Sequence, residues 1–207
     1  MNAFQQQLSS GLKMAREKRN FSLVDKIEFC NTVFDFKQVD KKGAVADARN
    51  LKRTFLLDLI AALETSEKQD LLANLDAAIE MIRVNLFRTP KVQITAQQGS
   101  TDDFLDAKQN VVEEVIMLEE QWPHLQIVYE LLLRIIICKD VDQKQLTSLI
   151  DHFFLMKLFE IFKTPDPIER DYLKTVVHRF YSRFMTSRGL MRKLIVRTLV
   201  VGLYDDQ

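Results

Sequence analysis

The sequence predicts an all-α protein, on the evidence of its turn residues, its apolar spacing and its helix-start signals. Among 207 residues there are only 5 Gly and 4 Pro, whereas a β-sandwich or barrel needs many tight turns. Apolar residues make up 47% of the chain and charged residues 28%, which is the composition of a globular protein with a sizeable core. Apolar side chains recur at helical spacing along most of the chain. We therefore expect long amphipathic helices.

The N-terminal part predicts a tail followed by a helical domain over residues 21–207. Residues 1–20 are polar and end in basic residues, so we expect a tail or a frayed helix. Ser22 is predicted to cap the first helix, because Asp25 follows three residues later and apolar residues then recur at helical spacing. After a polar break, a second helix is predicted to run to about Glu64.

A third helix is predicted to begin at Ser66 and to continue through Leu86. Ser66 and Gln69 have the spacing of a capping box, in which two side chains satisfy the first free backbone N–H groups of a helix. The segment 89–103 is polar and contains both Pro and Gly, so we expect a mobile loop there. An acidic helix is predicted over 104–120.

The region after Trp122 has the clearest helix boundaries. Pro123 is predicted at the first helical position, where its missing N–H costs nothing. A short break over 139–142 is followed by a helix predicted to run through Phe162. A restart then follows, with Asp166 as the N-cap, and the residues after it are typical of a helix start: Pro167 at the first position and Glu169 at the third.

Pro123 and Pro167 are 44 residues apart, with two predicted helices between them. This period is typical of HEAT and armadillo repeats, which are about 40–47 residues long. Internal sequence similarity is weak, so the prediction rests on the number of helices and on the positions of the helix-start residues. We expect an α-solenoid, in which each helix pair buries one face against its neighbours.

The last helix does not fit the end of such an array. The run Leu194–Leu203 is apolar over most of its circumference, whereas a terminal solenoid helix should present a polar outer face. We expect the array to be truncated at its C-terminus, or the face to be covered by a partner. A helix that folds back on itself is the third alternative.

Charge and cysteine content exclude several classes of function. Lys plus Arg and Asp plus Glu tie at 29, so net charge predicts no polyanionic partner. Cys30 and Cys138 lie in apolar helical contexts and are predicted to be buried thiols. No Cys/His cluster has zinc spacing. There is no signal-peptide pattern, and no apolar run approaches the roughly 20 residues of a membrane span. We expect an intracellular protein without cofactor.

Several segments resemble one family, the B-prime regulatory subunits of protein phosphatase 2A. The most specific are WPHLQIVYE, DPIERDYLKT and VHRFYSRF; FCNTVFDF, LKRTFLLDLIAAL and MIRVNLFRTP also match. The resemblance covers nearly the whole chain beyond residue 20, and it maps onto the N-terminal half of the family's solenoid. It implies a non-catalytic subunit that binds the phosphatase scaffold and catalytic subunits. It also implies a groove for short acidic peptides of the form Leu-x-x-Ile-x-Glu.

The resemblance implies five groove residues, each at a position where this sequence matches the family's motif. His178, Arg179 and Tyr181 stand in HRFY, where the family has His-Arg-x-Tyr. Met185 stands where the family has Leu, a swap of similar volume. Arg188 stands where the family has an Arg shortly before the next helix. The family's groove is completed by residues of the next repeat, and we expect contact with the scaffold to be better preserved than contact with the catalytic subunit.

Local chemistry favours the same region. Residues 163–197 hold nine Lys/Arg and three Asp/Glu. At 100° per residue, His178, Tyr181 and Met185 fall within about 60° on one helix face. A helix break at 187–189 is predicted to let Arg188 turn toward that face. Arg pairs carboxylate or phosphate through two parallel N–H bonds, which suits an acidic peptide.

Two other function classes stay open, and a third finds no support. The first is a generic helical-repeat interaction protein, or a truncated decoy that does not assemble with the phosphatase. The second is a nucleic-acid-binding solenoid that uses the basic stretch 163–197, although we expect neither a nucleic-acid nor a membrane partner. An enzyme finds no support, because the sequence has no phosphate-binding Gly loop, no metal cluster and no nucleophile beside a base. We expect a cytoplasmic protein, with the nucleus as a second location.

Overall fold

The computed structural model describes residues 21–34, 44–88 and 121–205, and every regular element in these ranges is helical. The predictions for residues 1–20, for the loop 89–103 and for the acidic helix 104–120 lie outside them. The helices are α1 Leu23–Cys30, α2 Ala44–Ala62, α3 Lys68–Ala73, α4 Leu75–Leu86, α5 Trp122–Ile137, α6 Gln143–Leu149, α7 His152–Glu160, α8 Pro167–Arg183 and α9 Arg188–Asp205.

The helices pack as a stack, which confirms the predicted all-α, helical-repeat fold. Helix α1 packs on α2 and α4, α5 packs on α2, α4 and α8, and α7 packs on α9. Their apolar faces share one core, in which Leu132 of α5 and Leu56 of α2 are fully buried. No helix in these ranges has the length and apolar character needed to cross a bilayer.

Two predicted helix starts are confirmed by their hydrogen bonds. The Ser22 hydroxyl accepts from Asp25 N, and the Asp25 carboxylate accepts from Ser22 N. The Asp166 carboxylate accepts from Ile168 N at 2.8 Å, and Pro167 is the first residue of α8. Helix α5 differs slightly from its prediction, because it begins one residue earlier at Trp122 and places Pro123 second.

The predicted helix from Ser66 to Leu86 is wrong in two respects. It begins after Glu67, which makes no side-chain cap, so the Ser66 capping box does not form. It also breaks at Asn74, whose backbone leaves the helical region and whose side-chain amide donates to the Asp70 carbonyl at 2.8 Å. An Asn side chain that bonds to the backbone competes with continued helix. The result is two helices, α3 and α4.

The helix predicted to run through Phe162 is likewise divided. Helix α6 ends at Leu149, and Asp151 then caps α7 by accepting from Phe154 N at 2.8 Å. The last turn, Ile161–Lys163, is a 3-10 helix. The 44-residue unit therefore pairs one long helix, α5, with a second helix in two pieces.

Arginine side chains join the repeats by capping helix ends on neighbouring elements. Arg183 of α8 donates to the Ile136 carbonyl, to the Cys138 carbonyl at 2.7 Å and to the Val141 carbonyl at 2.9 Å. Arg83 of α4 donates to the Leu149 carbonyl at the end of α6 at 2.6 Å. The last carbonyls of a helix have no partner within it, so these contacts satisfy them and fix the spacing of the stack.

A buried polar cluster ties α1, α2 and α4 together. The Lys52 ammonium donates to the Thr32 carbonyl at 2.7 Å and to Asn85 Oδ1 at 2.5 Å. Burial lowers the pKa of Lys52 to about 8, and burial raises the pKa of the adjacent Cys30 thiol to about 12. Cys30 is buried as predicted, whereas Cys138 is only partly buried.

Candidate peptide-binding site

The five predicted groove residues lie at one end of the stack, where α8 passes into α9. His178 and Arg179 are exposed on the last two turns of α8, and Tyr181 is half-buried there. Met185 is 69% exposed in a 3-10 turn over 185–187. Arg188 is the first residue of α9. The site is thus formed by the end of one helix and the start of the next.

The start of α8 is anchored by a buried ion pair. Glu169 is fully buried, and both of its oxygens accept from the Arg88 guanidinium at 3.0 Å. The Tyr129 hydroxyl of α5 donates to the same carboxylate at 2.9 Å. Glu169 was predicted only as a helix-start residue, and its side chain also holds α8 against α5 and against the segment that follows α4. Burial raises the pKa of Tyr129, and the neighbouring Glu169 charge adds to the rise.

An aromatic cluster fixes the same helix from the side. The ring of Trp122 lies 5.3 Å from that of Tyr172 in an edge-to-face arrangement, and Tyr129 lies 5.9 Å from Tyr172. Such pairs add to the stability gained from burial. Trp122 is thus a packing anchor for α8.

The C-terminal end of α8 is set by Arg183 and by two stacked rings. Phe180 and Phe184 stack with ring centroids 4.3 Å apart, and both are buried. The chain leaves the helix at Phe184. Met185 therefore does not continue the helical face of His178 and Tyr181, and the predicted arrangement of these three on one helix is wrong at Met185. The physical reason is that Phe184 turns into the core and ends the helix before Met185.

Arg188 turns back toward α8, as the predicted break implies. The break itself lies at 184–187, slightly earlier than predicted, and Gly189 is inside α9. The Arg188 guanidinium lies 5.1 Å from the centre of the Tyr181 ring. Its Nε donates to the Tyr181 carbonyl at 2.9 Å and its Nη2 to the Ser182 carbonyl at 3.1 Å. Arg188 thus caps α8, and its guanidinium group lies beside the phenol ring of Tyr181.

One further residue joins this group without having been predicted from the sequence. Arg192 lies one turn after Arg188 on α9, and its Nη1 approaches the Tyr181 hydroxyl at 3.5 Å. The four-residue spacing of two Arg at the start of a helix was the available signal. Tyr181, Arg188 and Arg192 form a phenol flanked by two guanidinium groups, an arrangement suited to an anionic side chain.

The basic stretch 163–197 is less uniform than its composition indicates. Arg183 uses its donors on carbonyls of α5 and the following loop, and Arg170 donates to the Thr164 carbonyl at 2.7 Å. The exposed cations that remain near the site are Arg179, Arg192, Lys193 and Arg197. Positive charge therefore concentrates at the α8–α9 junction.

Catalytic and metal-binding roles find no geometric support in residues 21–34, 44–88 and 121–205. No group of three His, Cys, Asp or Glu in these ranges is placed to hold a metal ion. His124 is buried and its Nε2 lies 3.0 Å from the Arg49 carbonyl. Burial and the Lys52 charge lower the pKa of His124 to about 4. His124 is therefore a structural residue.

Comparisons with known proteins agree with the fold and with the predicted family. A family model described as "Protein phosphatase 2A regulatory B subunit (B56 family)" matches residues 8–207. The chain is 34% identical over 190 residues to the 57 kDa B' beta isoform of the serine/threonine protein phosphatase 2A regulatory subunits of Arabidopsis thaliana, covering 92% of this chain and 36% of that protein. It is 38% identical over 180 residues to the 57 kDa B' kappa isoform of Oryza sativa subsp. japonica, covering 86% and 33%.

A third relative, the 55 kDa B' delta isoform of Arabidopsis thaliana, is 38% identical over 181 residues, covering 87% of this chain and 36% of that protein. The chain thus spans about a third of the length of the relatives it matches. The match covers nearly all of the present sequence, including the α8–α9 junction. The chain belongs to the B56 family of protein phosphatase 2A regulatory B subunits.

Proposed function

We propose that this chain is a non-catalytic regulatory subunit of the serine/threonine phosphatase 2A, which binds the scaffold and catalytic subunits and recruits substrates. The observation that carries the proposal is the family match over residues 8–207. The relatives it matches are named as regulatory subunits of that phosphatase. We further propose that it acts in the cytoplasm, and also in the nucleus.

We propose that recruitment uses the α8–α9 junction, which takes short acidic peptides of the Leu-x-x-Ile-x-Glu type. Tyr181 supplies a phenol ring, and Arg188 and Arg192 each place a cation beside it. Arg179 and His178 are exposed on the adjoining turns, and Met185 offers an exposed apolar side chain. Apolar contact with the peptide's Leu and Ile, and paired N–H bonds to its Glu, would supply the affinity.

Assembly is tested by size-exclusion chromatography of the purified chain with a phosphatase 2A scaffold–catalytic dimer. A stoichiometric shift of the chain into the dimer peak is expected. A folded, helical chain that elutes separately at concentrations above the micromolar range would contradict the assembly proposal. That outcome would favour a helical-repeat interaction protein, or a decoy that does not assemble with the phosphatase.

Peptide binding is tested separately by titrating the chain into a labelled acidic Leu-x-x-Ile-x-Glu peptide and following fluorescence anisotropy. Arg179→Ala and Arg192→Ala are each expected to weaken binding about tenfold or more, because truncating a charged anchor in a small interface typically costs over about 1 kcal/mol. The matched control is Lys144→Ala, an exposed cation at the start of α6. Equal affinity of the parent chain and both Arg variants would refute the groove assignment.

A further inference from the structure

Arg183 stands between two candidate residues of the peptide site, and its side chain is bound to another part of the stack. It is the last residue of α8, two positions after Tyr181 and two before Met185. Its guanidinium group donates to three backbone carbonyls, those of Ile136, Cys138 and Val141. The first carbonyl belongs to α5, and the other two belong to the α5–α6 loop, residues 138–142.

The backbone of Arg183 is bound to the same part of the chain. Gln143, the first residue of α6, donates from its side-chain Nε2 to the Arg183 carbonyl at 2.8 Å. Asp142 fixes this end of α6 by accepting from the backbone N–H groups of Lys144 and Gln145, each at 3.2 Å. The side chain and the carbonyl of Arg183 are therefore both held by residues that precede α8, and neither contact involves the end of the chain.

The turn after Arg183 carries the rest of the candidate site. The chain leaves α8 at Phe184 and enters α9 at Arg188. Arg188 bonds back to the carbonyls of Tyr181 and Ser182, so the turn closes on the two residues directly before Arg183. Phe184 attaches this turn to the core, and Arg183 attaches it to the α5–α6 loop.

A site on a turn binds its ligand well when the turn is already held in the bound geometry. Side chains of a binding site must lie within about 0.5 Å of their productive positions, and hydrogen bonds from residues outside the site hold them there. A loose turn would have to be ordered on binding, and the lost conformational freedom would weaken the affinity. Arg183 suits this task because both arms of its planar fork reach carbonyls, which the single ammonium of Lys does not reproduce.

We propose that Arg183 is a positioning residue for the peptide site. It ties the α8–α9 turn to the α5–α6 loop, and this tie raises the affinity for acidic peptides without Arg183 touching the peptide. Gln143 serves the same purpose through an uncharged contact. The proposal rests on the proposed function of the α8–α9 junction, and it extends that function to a loop outside the groove.

The first test is the affinity of the whole chain for a labelled acidic Leu-x-x-Ile-x-Glu peptide, followed by anisotropy where circular dichroism shows native helix content. Arg183→Met should weaken binding about fivefold or more, which corresponds to ordering roughly one further residue on binding. Arg183→Lys retains the charge but not the fork, so it should recover only part of the loss. Gln143→Met removes one neutral hydrogen bond and should weaken binding about twofold or more.

The matched control is Arg170→Met, at the other end of the same helix. Arg170 also donates to a backbone carbonyl, that of Thr164 at 2.7 Å. Its loss removes a positive charge and a carbonyl contact from α8, as Arg183→Met does, but far from the turn. The peptide affinity of Arg170→Met should therefore stay within about twofold of that of the parent chain.

Amide hydrogen exchange without peptide gives a second readout. Arg183→Met and Gln143→Met should both speed exchange over residues 181–188 and leave exchange over 167–173 like that of the parent chain. Arg170→Met should not speed exchange over 181–188. A general loss of stability would instead speed exchange along the whole of α8, so the pattern separates positioning of the turn from destabilisation of the fold.

Two outcomes of the peptide titration would overturn the proposal. One is that Arg183→Met and Gln143→Met both bind the peptide like the parent chain. The other is that Arg183→Lys binds like the parent chain while Arg183→Met does not, because charge and not the fork would then decide the affinity.

A parent chain that does not bind the peptide would refute the peptide site itself, and exchange then decides the role of Arg183 separately. Parent-like exchange over 181–188 in Arg183→Met would refute the positioning role. Faster exchange confined to that segment would support it.

Discussion

Glu169, whose carboxylate is buried, anchors the start of α8. It accepts three N–H bonds from Arg88 and one O–H bond from Tyr129. We expect Arg88→Met to lower the free energy of unfolding by about 3–5 kcal/mol, because it leaves a buried charge without its partner. Urea denaturation measures the loss.

The control for Arg88 is an exposed ion pair. Lys157 and Glu160 are paired on the surface of α7 at 2.8 Å, and Lys157→Met should change the free energy of unfolding by less than about 1 kcal/mol. Similar losses in both variants would contradict the role assigned to the buried pair. Replacing both Arg88 and Glu169 by apolar residues should recover part of the loss, since no charge then remains buried.

His124 should make the stability of the protein depend on pH. Its pKa is lowered from 6.5 to about 4 by burial and by the charges of Lys52, Arg53 and Arg49. Between pH 6.5 and 4 the unfolded chain therefore binds more protons, so the free energy of unfolding should fall as the pH falls through this window. The contribution of His124 is up to about 3 kcal/mol.

Urea denaturation at several pH values checks this prediction against His124→Gln. Carboxylates titrate in the same window, so the comparison is between slopes and not between absolute values. The variant should lose stability less steeply with falling pH than the parent chain does. Parallel slopes would mean that His124 is solvated or charged in the folded protein.

At the scale of the helices, Arg183 is the clearest long-range cap. It holds three carbonyls at the end of α5 and in the loop after it. We expect Arg183→Met to lower the free energy of unfolding by about 1–3 kcal/mol, because partly buried carbonyls lose their donors. Arg179→Met, on the same helix but exposed, should change it by about 0.5 kcal/mol or less. Thermal unfolding of the two variants side by side distinguishes them.

The elements themselves were largely predictable from local sequence, and their interruptions were not. Asp166 and Ser22 cap helices because each has an extended backbone and a side-chain oxygen that accepts from a free N–H two or three positions ahead, and this signal is local. Asp151 carries the same signal inside a long apolar pattern, whereas Asn74 interrupts such a pattern by donating its side-chain amide back to the Asp70 carbonyl. There the helical periodicity continues on both sides, so it masks the break.

The placement of the candidate residues was predictable where one helix supplies them, and at Arg188, where a helix break was visible in the sequence. His178, Arg179 and Tyr181 lie together on α8 as expected. Met185 departs from the helix because Phe184 is drawn into the core, and Arg192 reaches Tyr181 because the first turns of α9 lie near the end of α8. Both outcomes are set by packing between elements, which helical periodicity within one element does not contain.

At the scale of the whole molecule, α5 should control cooperativity. It packs on α2, α4 and α8, and Leu132 is fully buried among them. We expect Leu132→Ala to cost about 2–5 kcal/mol and to increase amide hydrogen exchange in both α2 and α8. Met191→Ala, at the end of the stack, should increase exchange mainly in α7 and α9. A purely local effect of Leu132→Ala would contradict a single shared core.

The buried contacts of Glu169 bear on how far the chain between Arg88 and Trp122 can vary in length. Arg88 contacts the carboxylate directly, while Trp122 reaches it through Tyr129, so the described chain is held at this carboxylate on both sides of residues 89–120. Replacing them with a Gly/Ser linker of half their length should change the loop-closure free energy by only about 0.6 kcal/mol. We therefore expect the stack to tolerate insertions and deletions between residues 88 and 121.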